Sequence, residues 1–451
     1  MLSAERRTEI FETMPVKQAV LHQVAPSILS QMVALLYNLA DTYFVGLLNS
    51  PIQTAAVTVS TPPFLMLTAV SNLFGVGGAS AISRALGKKE PEKGKQIAAV
   101  SFWLGLGAAV LFCVLFALLA APILTLCGAK GDTLPVALGY TRWTIIIGGV
   151  GTVLNILLAN LVRAEGNAAM ASIGVSVGGI LNIVLDPFFV LPQFLHMGAA
   201  GAGLATAVSN LCSAAVLLGY LLWSRITVLH LAVGDLRYTG DHLKTILRVG
   251  FPSCLQFALT VVATAAQARF VAKYATEAIA ALGIVKKIDM LPLYVCLGIS
   301  TGLLPLLAYN YAAGNQKRRQ DAFRFGVGIA VGFALLCVAA FEAFAPQLTG
   351  IFINDALTVD YAAKFLRRMV LAMPLMSMSY PMIIQFQAMG KARESLICSI
   401  LRKGVLDIPL LFLMDAVLPL YGCMWVQPIV DVISLGAALF LYKRMKIGEK
   451  V

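Results

Sequence analysis

Long apolar stretches recur along the chain at roughly 15–46, 54–83, 96–121, 134–162, 168–192 and 198–223, and again at 247–272, 277–308, 321–345, 361–388, 395–419 and 421–442. Each is long enough for a helix to cross a hydrocarbon layer of about 30 Å. The pattern predicts an all-α polytopic membrane protein with twelve transmembrane helices, six on either side of the polar stretch 224–246. In that stretch Arg225, Asp235, Arg237, Asp241, His242 and Lys244, with Gly234 and Gly240, read as a linker with some amphipathic helix. The expected divisions are a polar N-terminal segment (1–14), a first lobe (15–223), the linker (224–246), a second lobe (247–442) and a short tail (443–451).

The two halves repeat one another. Ala25-Pro26-Ser27 matches Phe251-Pro252-Ser253, and Phe44-Val45 matches Phe270-Val271, both at a shift of 226. Ala121-Pro122-Ile123-Leu124-Thr125 matches Ala345-Pro346-Gln347-Leu348-Thr349 at a shift of 224, and Gly166 meets Gly390 at the same shift. Ordered matches at a nearly constant shift predict two pseudo-symmetric six-helix lobes. An even helix count per lobe makes the repeat parallel, with its axis along the membrane normal. Two such lobes facing each other suit a transporter.

Composition agrees: the 451 residues are 59% hydrophobic and only 12% charged, with a mean hydropathy of +0.84, which excludes a soluble enzyme. With the N-terminus inside, 23 Lys and Arg fall in inside segments and at most seven in or beside outside loops, so both termini are expected in the cytoplasm. The formal net charge of +12 then records loops facing anionic lipid and not a nucleic-acid footprint. The eight cysteines are scattered singly without a CxxC pair, and the four histidines lack any metal-ligand spacing. No nucleophile or metal constellation supports an enzyme. The N-terminal segment lacks a cleavable signal's short apolar region, so insertion is expected through the first helix.

An ionised Asp at the bilayer centre costs roughly 2.5–3.5 kcal/mol, so acids inside apolar runs call for an explanation. Asp41 shares a helix face with Tyr37 and Asn38, and Asp186 shares one with Asn182 at i,i+4. Pro187 cannot donate to the Ile183 carbonyl, which leaves a free oxygen beside Asp186. Thr206 and Asn210 repeat the i,i+4 polar pairing in the sixth helix. Two carboxylates with amide and hydroxyl oxygens suit a hard cation such as Na⁺, and a desolvated pair equally holds a proton. For Asn155, Thr206 and Asn210 a plain interhelix hydrogen bond is an equal reading. Pro26 frees the His22 carbonyl and is a candidate hinge for the first helix, although a packing kink is as good an account. Asp289, Asp407 and Asp431 read as members of structural pairs, with Lys286 or Lys287 a local partner for Asp289.

The chain resembles the multidrug and toxic compound extrusion (MATE) family over nearly its whole length. The resemblance is carried by the twelve-helix repeat, by Ser83-Arg84-Ala85-Leu86-Gly87-Lys88, and by Tyr309-Asn310-Tyr311-Ala312-Ala313-Gly314-Asn315. Asp41 and the run Asn182-Ile183-Val184-Leu185-Asp186-Pro187 are similar to the signature of the DinF-type, MepA-like bacterial branch. The NorM-like branch has acids in helices seven and ten, whereas here the repeat partner of Asp41 is Gln267 and that of Asp186 falls near Leu410. The resemblance implies a one-sided cation site at Asp41, Asn182, Asp186 and Thr206, with Tyr37 and Asn155 lining it and Na⁺ as a possible occupant.

It further implies a secondary antiporter in a bacterial inner membrane, exporting cationic amphiphiles in exchange for H⁺ or Na⁺ by alternating access. No cofactor and no nucleic-acid partner are expected, and a monomer is. Asn210, Gln267, Met290 and Met376 are candidate cavity-lining residues. Among the methionines and aromatics, Phe64, Met66, Tyr294, Met373 and Met378 belong to the same expectation, although such methionines are as often ordinary core. The alternative is a flippase of lipid-linked precursors, whose pyrophosphate substrate would call on Lys286, Lys287, Arg402 and Lys403.

Overall fold

The computed structural model describes residues 5, 7–224, 227–353 and 355–448. Of the charges counted above, Arg6, Arg225, Lys450 and the side chain of Lys446 lie outside the described residues, as do the ends of the expected terminal segments. Every described element is a helix. The first half holds α1 (Val16–Gly46), α2 (Pro51–Gly87), α3 (Pro91–Leu126), α4 (Thr133–Thr141), α5 (Gly149–Ala164), α6 (Ala168–Val190) and α7 (Ala199–Trp223). The second holds α8 (Thr239–Val271), α9 (Thr276–Ala312), α10 (Gln316–Gly350), α11 (Ala356–Met369), α12 (Met373–Ala388), α13 (Ala392–Ile400), α14 (Asp407–Val417) and α15 (Gly422–Gly448).

Among the described residues, ten helical stretches are long and apolar enough to cross a membrane, and one bent pair raises the number to eleven. In that pair Thr133–Ile147 meets Gly149–Ala164 at 46°, through a π-helical turn over Arg142–Ile147. The expected span 395–419 is the departure from twelve. It breaks into α13, a π-helical turn over Leu401–Val405, and α14. Arg402 and Lys403 fall in that break and Asp407 opens the helix after it, and together they dilute the apolar character of the stretch. By contrast α1 continues through Pro26 as a single helix. Its lost backbone bond is of the kind that membrane helices absorb through neighbouring groups.

Side chains that cap helices also tie loops. Ser50 accepts from the Gln53 amide at the start of α2, and Asn167 from that of Met170 at the start of α6. On the face where α1 begins and α15 ends, here the terminal face, one apolar core joins both halves. It contains Val20 and Val24 of α1, Ile82 and Leu86 of α2, and Ile299, Leu303 and Leu307 of α9. Toward the opposite face the cores separate, into one with Leu67, Phe116 and Ile145 and another with Phe270, Val285, Phe341 and Phe365.

The lobes therefore share one core at the terminal face and carry separate cores toward the other, and the boundary between those separate cores is here called the cleft. Close backbone approach joins the lobes at the terminal face. A Cβ on Gly250 of α8 would collide with the Leu73 carbonyl of α2, and one on Gly77 with the Ile246 carbonyl. Gly298 of α9 lies likewise against the backbone of Ile28 in α1.

Candidate functional site

α1 and α6 pack closely because Gly179 leaves room: a Cβ there would lie 2.5 Å from Val33 and 3.3 Å from Tyr37. This approach brings Asp41 to Asp186, and their carboxyls stand within hydrogen-bonding reach of each other. Thr206 of α7 completes the corner. Its hydroxyl lies 3.5 Å from Asp41 Oδ2 and 3.0 Å from the Ala202 carbonyl, while Asn182 Nδ2 donates to it at 3.4 Å. Asp186 is fully buried, Asn182 and Thr206 nearly so, and Asp41 is half-buried. Asp41 Oδ1, Asn182 Oδ1 and both oxygens of Asp186 accept no hydrogen bond from the described residues.

Two carboxyls in contact among apolar helices cannot both carry charge without a proton shared between them or a cation beside them. The surrounding oxygens supply a hard cation's donor set. Tyr37 lies within electrostatic reach of Asp41 and also of Tyr294, which belongs to α9 in the other lobe. The corner thus lies on the side of the first lobe that α9 of the second approaches. Tyr140, buried in α4, stands within electrostatic reach of Asp41, Asp186 and Tyr37. Nothing in the sequence marks it, because its local surroundings are those of any membrane tyrosine and the acids it approaches lie on other helices.

Other candidates lie elsewhere. Asn155 Nδ2 donates to Asn210 Oδ1 at 3.0 Å, and Asn210 Nδ2 to Thr152 Oγ1 at 3.0 Å. These two residues tie α5 to α7 and make no direct bond to the acids. Asn38 turns its amide to the Ala34 carbonyl of its own helix, at 2.7 Å. Gln267 donates to the Cys423 carbonyl at 3.0 Å in the second lobe. Met376 is buried, while Met290 keeps part of its surface open.

The internal charges of the second lobe neutralise one another. Arg402 Nε meets Asp431 Oδ1 at 2.7 Å with both side chains buried, and Gln427 bridges Asp431 to Lys403 at 3.0 and 2.6 Å. Lys403 lies 3.6 Å from Asp407. Lys286 is within electrostatic reach of Asp289, Lys403 and Asp407. Arg402 is thus the partner of Asp431, a pairing across 29 residues that the sequence does not mark.

The MatE family model matches residues 26–188 and 252–413, one block in each half. The multidrug export protein MepA of Staphylococcus saprophyticus is 30% identical over 435 residues, 96% of this chain and 95% of that protein. The protein of the same name from Staphylococcus aureus is 28% identical over 434 residues, with the same coverage. A solved structure of a multidrug resistance MATE family transporter of the MOP superfamily, in an outward-facing conformation, superposes with a TM-score of 0.89 at 27% identity, covering 98% of each chain.

Proposed function

The chain belongs to the MATE family, and from that premise we propose that it exports cationic amphiphiles across a bacterial inner membrane in exchange for H⁺ or Na⁺. The observation that carries the exchange is the contact between Asp41 and Asp186 in one wall of the cleft. In the cation-free state this pair attracts a cationic substrate to the cleft. A proton or Na⁺ arriving from the opposite face neutralises the pair, weakens that attraction and releases the substrate outward. The ion then leaves on the terminal face, and the excess of Lys and Arg there supports reading that face as the cytoplasmic one. Each chain encloses its own cleft and works as a single copy, as a transporter and not an enzyme.

A flippase of lipid pyrophosphates is less well supported, because its anionic substrate needs free cations, whereas Arg402 and Lys403 are held by Asp431, Gln427 and Asp407. The test is reconstitution into proteoliposomes with pH and Na⁺ gradients imposed separately. One of the two gradients should drive uptake of a cationic dye, and failure of both would refute the exchange.

A further inference from the structure

The two motifs at the C-terminal ends of α2 and α9 have no place in the ion site, yet the fold brings them together at the terminal face. Arg84, from the first motif, lays its guanidinium on the C-terminus of α12, 3.3 Å from the carbonyls of Gln387 and Ala388, and bonds Ser80. Ser80 itself donates to the Gln387 carbonyl at 2.5 Å. A cation over the last carbonyls of a helix is favourably placed. Just beyond the motif, Lys89 donates to the Tyr309 hydroxyl at 3.0 Å. Tyr309 opens the second motif, so N-lobe and C-lobe residues meet directly.

A third strand of chain closes over this junction. The turn Glu9–Thr13 buries Phe11 completely, with its ring stacked on Tyr309 at 4.8 Å between centroids. The same ring fills the space beside Gly166 of the first lobe. C-lobe side chains hold the turn's backbone: Arg318 donates to the carbonyls of Phe11 and Ile10 at 2.7 and 3.1 Å, and Asn310 to Phe11 at 3.2 Å. Glu12 pairs with Lys89 of the first lobe and accepts from Tyr309 of the second at 2.5 Å. Those two donors hold the Glu12 carboxyl below its ordinary range. One side chain thus ties both lobes.

We propose that Glu9–Thr13 is a latch on the cytoplasmic gate: Glu12, clasped between Lys89 and Tyr309, must let go of one lobe each time the cleft opens inward. The inference rests on the alternating-access reading above. The latch sets the balance between the two faces, since its bonds exist only when the terminal face is closed. Lys89 is largely exposed, so the pair biases that balance by about two- to five-fold and does not lock it.

The test is hydrogen exchange on the full chain in lipid nanodiscs, comparing the unaltered protein with Glu12→Gln, Glu12→Lys, Lys89→Glu and the last two combined. The single substitutions should speed exchange by about two- to five-fold at 84–89 and 309–315 and slow it around 42–52 and 270–276, where the opposite face closes in return. The charge-swapped double variant should restore both. Faster exchange at the terminal face without the reciprocal slowing would overturn the latch and leave only a local packing role, as would no change at all. The readout needs no transport, so a chain that shows reciprocal exchange but no coupled flux keeps the latch and loses the antiport reading. Coupled flux without reciprocity does the reverse.

Discussion

Asp41 of α1 and Asp186 of α6 bring their carboxyls into contact inside the first lobe, while the repeat-related position of Asp41 in the second lobe is Gln267, engaged with a backbone carbonyl. At this position the first lobe thus carries an acid beside a second acid, and the second lobe an amide bound to that lobe's own backbone. Asp41→Asn or Asp186→Asn should abolish coupled export while leaving expression and insertion unchanged, because an amide keeps the shape but cannot exchange a proton. Drug resistance in cells expressing either variant at normal levels would contradict this assignment.

Tyr140 stands within electrostatic reach of both acids, although its local sequence carries no mark of that. Removing its hydroxyl by Tyr140→Phe should shift the apparent affinity for the coupling ion about two- to ten-fold, the scale of a net polar interaction of roughly 0.5–1.5 kcal/mol. Substrate affinity measured with the ion absent should stay the same. An unchanged ion dependence would reduce Tyr140 to a packing residue.

In the second lobe, Asp431→Asn strands the Arg402 charge at a position only 1% exposed. Breaking a buried pair this way costs about 3–5 kcal/mol, whereas replacing both partners by apolar residues is often neutral. The variant should melt far earlier in detergent, and Arg402→Met with Asp431→Leu should recover most of the loss. The ion-to-substrate ratio of whatever protein survives should not change. If Asp431→Asn stays folded and binds substrate but ignores both gradients, the second lobe holds a coupling site.

Glu165, in the turn between α5 and α6, is buried and accepts from Tyr220, Thr227 and the Val228 amide. Burial outweighs those donors and pushes its carboxyl up to about 7 from 4.5. A raised carboxyl pKa means the folded state prefers the protonated form. The stability this provides is whole below about 4.5 and is lost as pH rises through 7. Thermal stability should therefore fall between roughly pH 5 and 7.5, and Glu165→Gln should flatten that slope. A slope that survives the substitution would assign it to another group.

The apolar periodicity exposed the spans and their repeat, because a membrane helix must be apolar along its whole length. Hidden from it were the break at Arg402 and Lys403 and the partners of Tyr140, Glu12 and Glu165. A cation inside a helix has no sequence mark for its acid 29 residues away in Asp431, and contacts across 220 residues, as from Lys89 to Tyr309, follow only from the packing of the lobes. Asp41 and Asp186 were legible because an acid in an apolar run violates the local rule. The bond between Asn155 and Asn210 satisfies it, which is why those amides were open to two readings.

Exchange of ion for substrate at the Asp41–Asp186 pair can be read from ion displacement. Cationic dye is added to the purified chain in weak buffer, with released H⁺ followed by a pH indicator and released Na⁺ by a sodium-sensitive probe. The unaltered protein should release one of these ions as the dye binds, and the double variant Asp41→Asn with Asp186→Asn should release neither. Release of the same quantity from the double variant, or dye binding to the unaltered protein with no ion released, would rule out exchange at this pair.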